Sequence, residues 1–169
     1  MNTMKKRTLK FLALAFFLLA GVGSLSAQWA ATYGLSSPEL PYDIQFYENS
    51  DVGFVTAGYT MSFGAGVCDA WIVNTDIDGN LQWHFAYGGQ GEDMADAIQP
   101  IDTSGDKIPD DGYIFLGETM GSFPVAGIWV VMLNPQGMII WQKVYEDLSG
   151  CAAYSVQQNP DGDFVVAGV

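Results

Sequence analysis

The residues of this sequence best suited to chemistry lie between Asp102 and Gly112, in the order DTSGDKIPDDG. Asp102, Ser104, Asp106 and Asp110 offer oxygen at alternate or near-alternate positions, and Gly105 supplies a bend. A short loop with that spacing can wrap a hard cation, and calcium takes about 6–8 oxygen ligands. These four residues are therefore the candidate metal ligands, and calcium is the one cofactor the sequence suggests. Lys107, in the same loop, opposes a cation, and the plain alternative is a solvated acidic turn. A second acidic turn, Asp76-Ile77-Asp78-Gly79-Asn80, reads as a hairpin connection first, because Asp-Gly is an ordinary hairpin dipeptide.

Other chemistries find less material. His84 is the sole histidine, and no Gly-x-Ser-x-Gly elbow or Ser/His/Asp set accompanies it. Its place beside Trp83 suggests an ordinary packing position. No catalytic residue is assigned; a carboxylate pair for glycoside hydrolysis is defined by a separation in space. Gly88–Asp93 and the loops 60–68 and 119–126 are rich in glycine and small residues. With no helix and no lysine following, they do not read as phosphate cradles. Phe63 and Phe123 stand at loop tips, where they could stack on a sugar or peptide; folding down as anchors is the expectation. Cys68 and Cys151 are the two cysteines, and no disulfide between them is expected, because they fall in repeat units that are not neighbours.

The N-terminus reads as a secretory signal peptide over residues 1–27. Lys5, Lys6, Arg7 and Lys10 form a basic segment, Phe11–Val22 is apolar, and Gly23-Ser24-Leu25-Ser26-Ala27 supplies small residues for cleavage. The apolar run of 12 residues falls short of the roughly 20 that a spanning helix needs, so no membrane span is expected after cleavage. Residues 28–169 keep Lys107 and Lys143 against all 19 acids, a net charge of −17. Such a surface repels phosphate backbones and anionic lipid, which argues against nucleic-acid and membrane-surface partners. The expected location is outside the cell or on its surface.

The elements that would carry these loops repeat along the chain. Trp29, Trp83 and Trp141 are 54 and 58 residues apart, and Tyr33, Tyr87 and Tyr145 share those offsets. So do Ile44, Ile98 and Val156, each followed by a glutamine. GFVTAGYT, GYIFLGET and DFVVAGV return in the same register. One unit of roughly 55 residues thus occurs about two and a half times. Each unit divides into four short runs of Val, Ile, Phe, Tyr and Trp separated by turn dipeptides such as Asp78-Gly79 and Asp161-Gly162. Runs such as Tyr113–Leu116 and Trp129–Leu133 are apolar at nearly every position, as in strands covered on both faces.

Four-stranded units stacked face on face define an all-β fold, a partial β-propeller of antiparallel blades; a β-sandwich is the alternative. The expected division is 28–40 for a lone outer strand and linker, 41–88 for the first blade, 89–146 for the second, and 147–169 for the start of a third. The segment Trp29–Tyr33 is expected to be a fourth strand belonging to a unit before the first. Rings need about 4–8 blades, so the sequence reads as part of a longer protein. The tryptophans recur in register and read as core staples.

The running pattern W-x3-Y-G-G-x-G-x-D (Trp83, Tyr87, Gly88, Gly89, Gly91, Asp93), then D-G-Y with Gly117, then D-x-W (Asp69, Trp71) and D-x-x-G-x3-W (Asp76, Gly79, Trp83) resembles the propeller-type repeats of secreted bacterial and archaeal proteins. The resemblance covers nearly all of residues 29–169 and implies an extracellular module. The last motif is also similar to the tryptophan-docking motif of quinoprotein propellers, although Asn134 replaces its aspartate in the second copy, and nothing matches their quinone-binding residues. The loop 102–112 resembles the D-x-D-G-D-G-I-P-D calcium loops of extracellular repeat proteins, with Ser104 and Lys107 where an acid and a glycine are usual. The function expected from all this is a non-catalytic scaffold, binding or adhesion module for an extracellular carbohydrate or protein. The rivals are part of a propeller enzyme, quinoprotein-like oxidoreductase or glycoside hydrolase, and a purely structural calcium-stabilised repeat.

Overall fold

A computed structural model describes residues 29–47, 53–106, 111–120, 123, 125–146 and 152–169. The proposed signal peptide lies outside them, and so do Asp110 and Cys151. The described chain is all β, in three antiparallel sheets of four, four and two strands, none of them closed.

The first sheet contains β1 (Glu39–Tyr47), β2 (Gly53–Thr60), β3 (Asp69–Asp76) and β4 (Leu81–Tyr87), paired in sequence order. The second contains β5 (Glu92–Ile101), β6 (Gly112–Met120), β7 (Gly127–Leu133) and β8 (Ile139–Glu146), again in order. The third pairs β9 (Ala153–Gln158) with β10 (Phe164–Gly168). Within each sheet consecutive strands pair antiparallel, so each sheet is built from neighbours in sequence and each strand turns alternate residues to opposite faces.

The alternation decides what packs where. Val55, Ala57, Ala70 and Ile72 of the first sheet share a core with Ile98, Phe115, Trp129 and Val131 of the second. The opposite face of the second sheet, with Ala97, Ile114, Leu116 and Val130, packs on Ala153 and Val156 of the third. The second sheet is therefore covered on both faces, which is why Tyr113–Leu116 are all buried. Apolar residues at successive positions here mean two cores and not one.

One polar cluster sits inside the first interface. Asn74 accepts the Tyr47 hydroxyl at 3.1 Å and donates its amide to the Tyr113 hydroxyl at 2.9 Å. Burial pushes the Tyr113 phenol above its ordinary value, with the nearby Tyr47 as a further cause. A buried amide with both ends satisfied fixes the lateral position of one sheet on the other.

The segment Trp29–Tyr33 differs from expectation: it lies outside any strand. Its side chains nonetheless keep repeat positions. The Trp29 indole donates to the Ile77 carbonyl at 2.7 Å, and the Tyr33 hydroxyl donates to the Gly79 carbonyl. One unit later, the Tyr87 hydroxyl donates to the Gly137 carbonyl at 2.6 Å. The side chains reproduce the docking although no neighbouring strand forms a ladder with this backbone.

Candidate functional site

The acidic loop is occupied with its own backbone. Asp111 Oδ2 accepts the amides of Thr103 and Ser104, each at 2.6 Å, and the Thr103 hydroxyl at 3.1 Å. Asp102 Oδ1 accepts the Gly105 amide at 2.6 Å and the Ser104 hydroxyl at 3.2 Å. The Thr103 and Ser104 amides hold the Asp111 carboxyl below its ordinary value. Of the candidate ligands, Asp102 and Ser104 thus meet each other and Asp106 stands in the same exposed turn, while Asp110 is outside the described residues. Among the described residues no three His, Cys, Asp or Glu side chains gather as a metal site requires. The turn 76–80 has the same internal logic. Asp76 accepts from the Asn80 side chain and from the amides of Asp78 and Asn80, and these bonds lower its carboxyl.

The glycine-rich loops are fasteners. Gly88 lies beneath two buried carboxylates: a Cβ there would come within 2.3 Å of Asp93 and 2.8 Å of Asp69. Asp93 accepts the Gly89 amide at 3.0 Å, and Asp69 accepts the Gly66 amide at 2.9 Å. A backbone bridge, Cys68 with Glu92, ties the two loops together. Burial raises the Cys68 thiol above its ordinary value. Glu39 and Thr60 repeat this arrangement one unit earlier, paired across β1 and β2 as Asp93 and Thr119 are across β5 and β6. The Y-G-x4-acid spacing, Tyr33-Gly34 to Glu39 and Tyr87-Gly88 to Asp93, was the sequence signal for it.

Phe63 and Phe123 fold down. Phe63 stacks on Trp71 with ring centres 5.8 Å apart, and Phe123 lies 5.3 Å from Trp129. His84 has a specific role that its packing position only half suggests. Its Nδ1 accepts the Trp71 indole N–H at 3.1 Å, as Gln142 Oε1 accepts that of Trp129 at 3.1 Å. Both acceptors lock a buried tryptophan against its outer strand.

A polar cleft remains, which no sequence motif announced. It forms where β1, β5 and β9, the first strands of the three units, come together. Tyr42, Asp43, Gln45, Asp96, Gln99 and Tyr154 line a volume of about 290 Å³. Hydrogen bonds between units hold its walls. Asp43 Oδ2 accepts the Ile98 amide at 3.0 Å, and Gln99 Oε1 accepts the Gln158 amide at 2.8 Å. Burial, and then the Glu118 carboxylate, push Asp96 up to about 6. The cleft thus offers carboxylate and amide groups, with Tyr42 and Tyr154 among its lining residues. That combination can accept hydrogen bonds from hydroxyls and donate hydrogen bonds to them.

No family model matches this chain, and no match was found among the curated proteins compared with it. Among the described residues no helix is long and apolar enough to cross a membrane.

Proposed function

We propose that this chain is an exported, non-catalytic β-propeller repeat module, and that it serves as a scaffold and binding module. The face-to-face stacking of repeat units supports the propeller architecture, together with the tyrosine-to-glycine docking that recurs between them. The observation that carries the binding reading is the polar cleft where β1, β5 and β9 meet. Its lining fits a neutral oligosaccharide, with amides and carboxylates for hydroxyl groups. Extracellular carbohydrate is accordingly the ligand class we assign, and a carboxylate-lined cleft on an acidic protein disfavours anionic glycans.

Calorimetric titration of the chain with neutral oligosaccharides tests this reading. Heat of binding that weakens at least about tenfold in both Tyr154→Ala and Asp96→Ala supports it. No heat from any neutral glycan at about 10 mM, where even weak binders of this size register, would remove it.

A cation role for Asp102, Ser104, Asp106 and Asp110 belongs to the same proposal. The oxygen-rich spacing supports it. A melting temperature that rises with calcium and ceases to rise in Asp102→Asn is the supporting result. The same melting temperature with calcium and with a chelator removes it.

A further inference from the structure

The repeat lets each face of one sheet be compared with the same face of the next. The face of the second sheet that packs on the first is built from Ile98, Tyr113, Trp129 and Val131. At the same register the first sheet has Ile44, Phe54, Trp71 and Val73, on the side that faces away from the second. These residues line a largely apolar groove of about 370 Å³, flanked by Trp29 and Tyr33. Ile98 is 1% exposed, and its counterpart Ile44 is 55% exposed. The groove is thus one half of an interface that the molecule makes elsewhere in full.

The other half is present as well. The surface that covers the second sheet is centred on Val55 and Ala57, and the surface that covers the third on Ile114 and Leu116. The equivalent positions of β10 are Val165 and Ala167, paired with Gln157 and Ser155 on the face turned away from the second sheet. Val165 is 60% exposed.

We propose that these two faces belong together, so that a second copy of this chain seats its β10 face in the groove of the first. The occupant is argued from continuity with the two interfaces already inside the molecule, because Val165 and Ala167 stand where Val55 and Ala57 seal the first of them. The contact is heterologous: each copy gives one face and receives on the other, so copies add head to tail, in a ring or in a filament. Neither face centres on a charge, but the chain as a whole is at −13. Long-range repulsion therefore opposes the contact, and salt strengthens it by screening. The inference is independent of the carbohydrate reading, and a chain that binds no glycan can still associate in this way.

Sedimentation velocity of the full chain between about 1 and 100 µM, the range expected of a modest interface, tests it. The expected result is a rising sedimentation coefficient, steeper at higher salt. Ile44→Lys and Val165→Lys, both at exposed positions, should each stay monomeric with unchanged melting temperatures. Mixing the two variants is decisive. Each retains one intact face, so the mixture should form dimers and nothing longer. A wild-type chain that remains monomeric over the whole range overturns the inference. Wild-type association that survives both substitutions also overturns it, as does a mixture that yields no dimer.

Discussion

The first and second sheets are two copies of one pattern under different loads. Trp71 and Trp129 hold the same position, each with a phenylalanine folded over it and a polar acceptor for its indole. Yet Ile98 is sealed between sheets while Ile44 faces a groove, and Trp83 packs into a core while Trp141 lies outside. Sequence pattern sets which residues point to a face. Whether that face is a core depends on what stacks there.

Paired substitutions at equivalent positions separate these two influences. The largest effect is expected at the tryptophans. Trp129→Ala should cost about 3–5 kcal/mol, because a fully buried ring leaves a cavity between two sheets. Trp141→Ala, its ring partly in solvent, should cost under about 1 kcal/mol. Equal costs in denaturant titrations would mean that the two copies are not loaded differently.

Next come the turn glycines. Gly137 and Gly162 both have positive φ, +81° and +90°, so alanine at either pays for a left-handed backbone, about 1–2 kcal/mol. At Gly137 a Cβ would also come within 2.8 Å of Phe85 and 3.0 Å of Trp83, whereas at Gly162 nothing lies within 4 Å. Gly137→Ala should therefore be the more destabilising by about 1 kcal/mol or more. A difference of zero would show that the docked aromatics give way without strain.

The smaller effects concern single polar groups. Tyr87→Phe removes the bond to the Gly137 carbonyl and should cost about 1 kcal/mol. Its counterpart Tyr145→Phe, on an exposed ring, should be near neutral. A measurable loss at Tyr145 would reveal a partner for the second unit's docking side chain. Asp96 gives a pH signature. With its folded value raised to about 6 from 3.8, the native state holds a proton there that the unfolded chain has released. Stability should fall as pH rises from about 4 to about 6. Asp96→Asn should flatten that slope and be the more stable form at pH 7, by about 1 kcal/mol once partial solvation is allowed for. Parallel slopes in the two proteins would exclude Asp96 as the titrating group.

Much of the fold was legible because period and turn chemistry agree. The four runs of each of the first two units form strands, and the doubly apolar runs of β6 and β7 are covered on both faces. Trp29–Tyr33 keeps the side-chain register of a strand but pairs with no strand among the described residues, because register and backbone pairing are separate properties. A tryptophan can dock on a turn without a ladder partner. Reading every tryptophan as a core staple failed at Trp141 for a related reason, since burial belongs to the neighbour and not to the residue. The site was less legible. Oxygen spacing drew notice to Asp102–Asp110, whereas Asp102 and the neighbouring Asp111 accept amides of their own loop. The cleft gathers Tyr42, Asp96 and Tyr154 from three units, and no local spacing in one unit encodes that meeting. Asp69 and Asp93 stood in the repeat motif, but their burial beside Gly88 emerges only when two loops meet.

Amide hydrogen exchange at Ile98 tests the stacking of units most directly. Ile98 is on the first strand of the second sheet, and its N–H leaves that sheet to meet Asp43 Oδ2 of the first, at 3.0 Å. Stacked units require this amide to exchange slowly, as the centre of β6 does, and to speed up selectively in Asp43→Ala while the Phe115 amide stays protected. An Ile98 amide that exchanges in the wild type as fast as an open sheet edge would contradict the stacking.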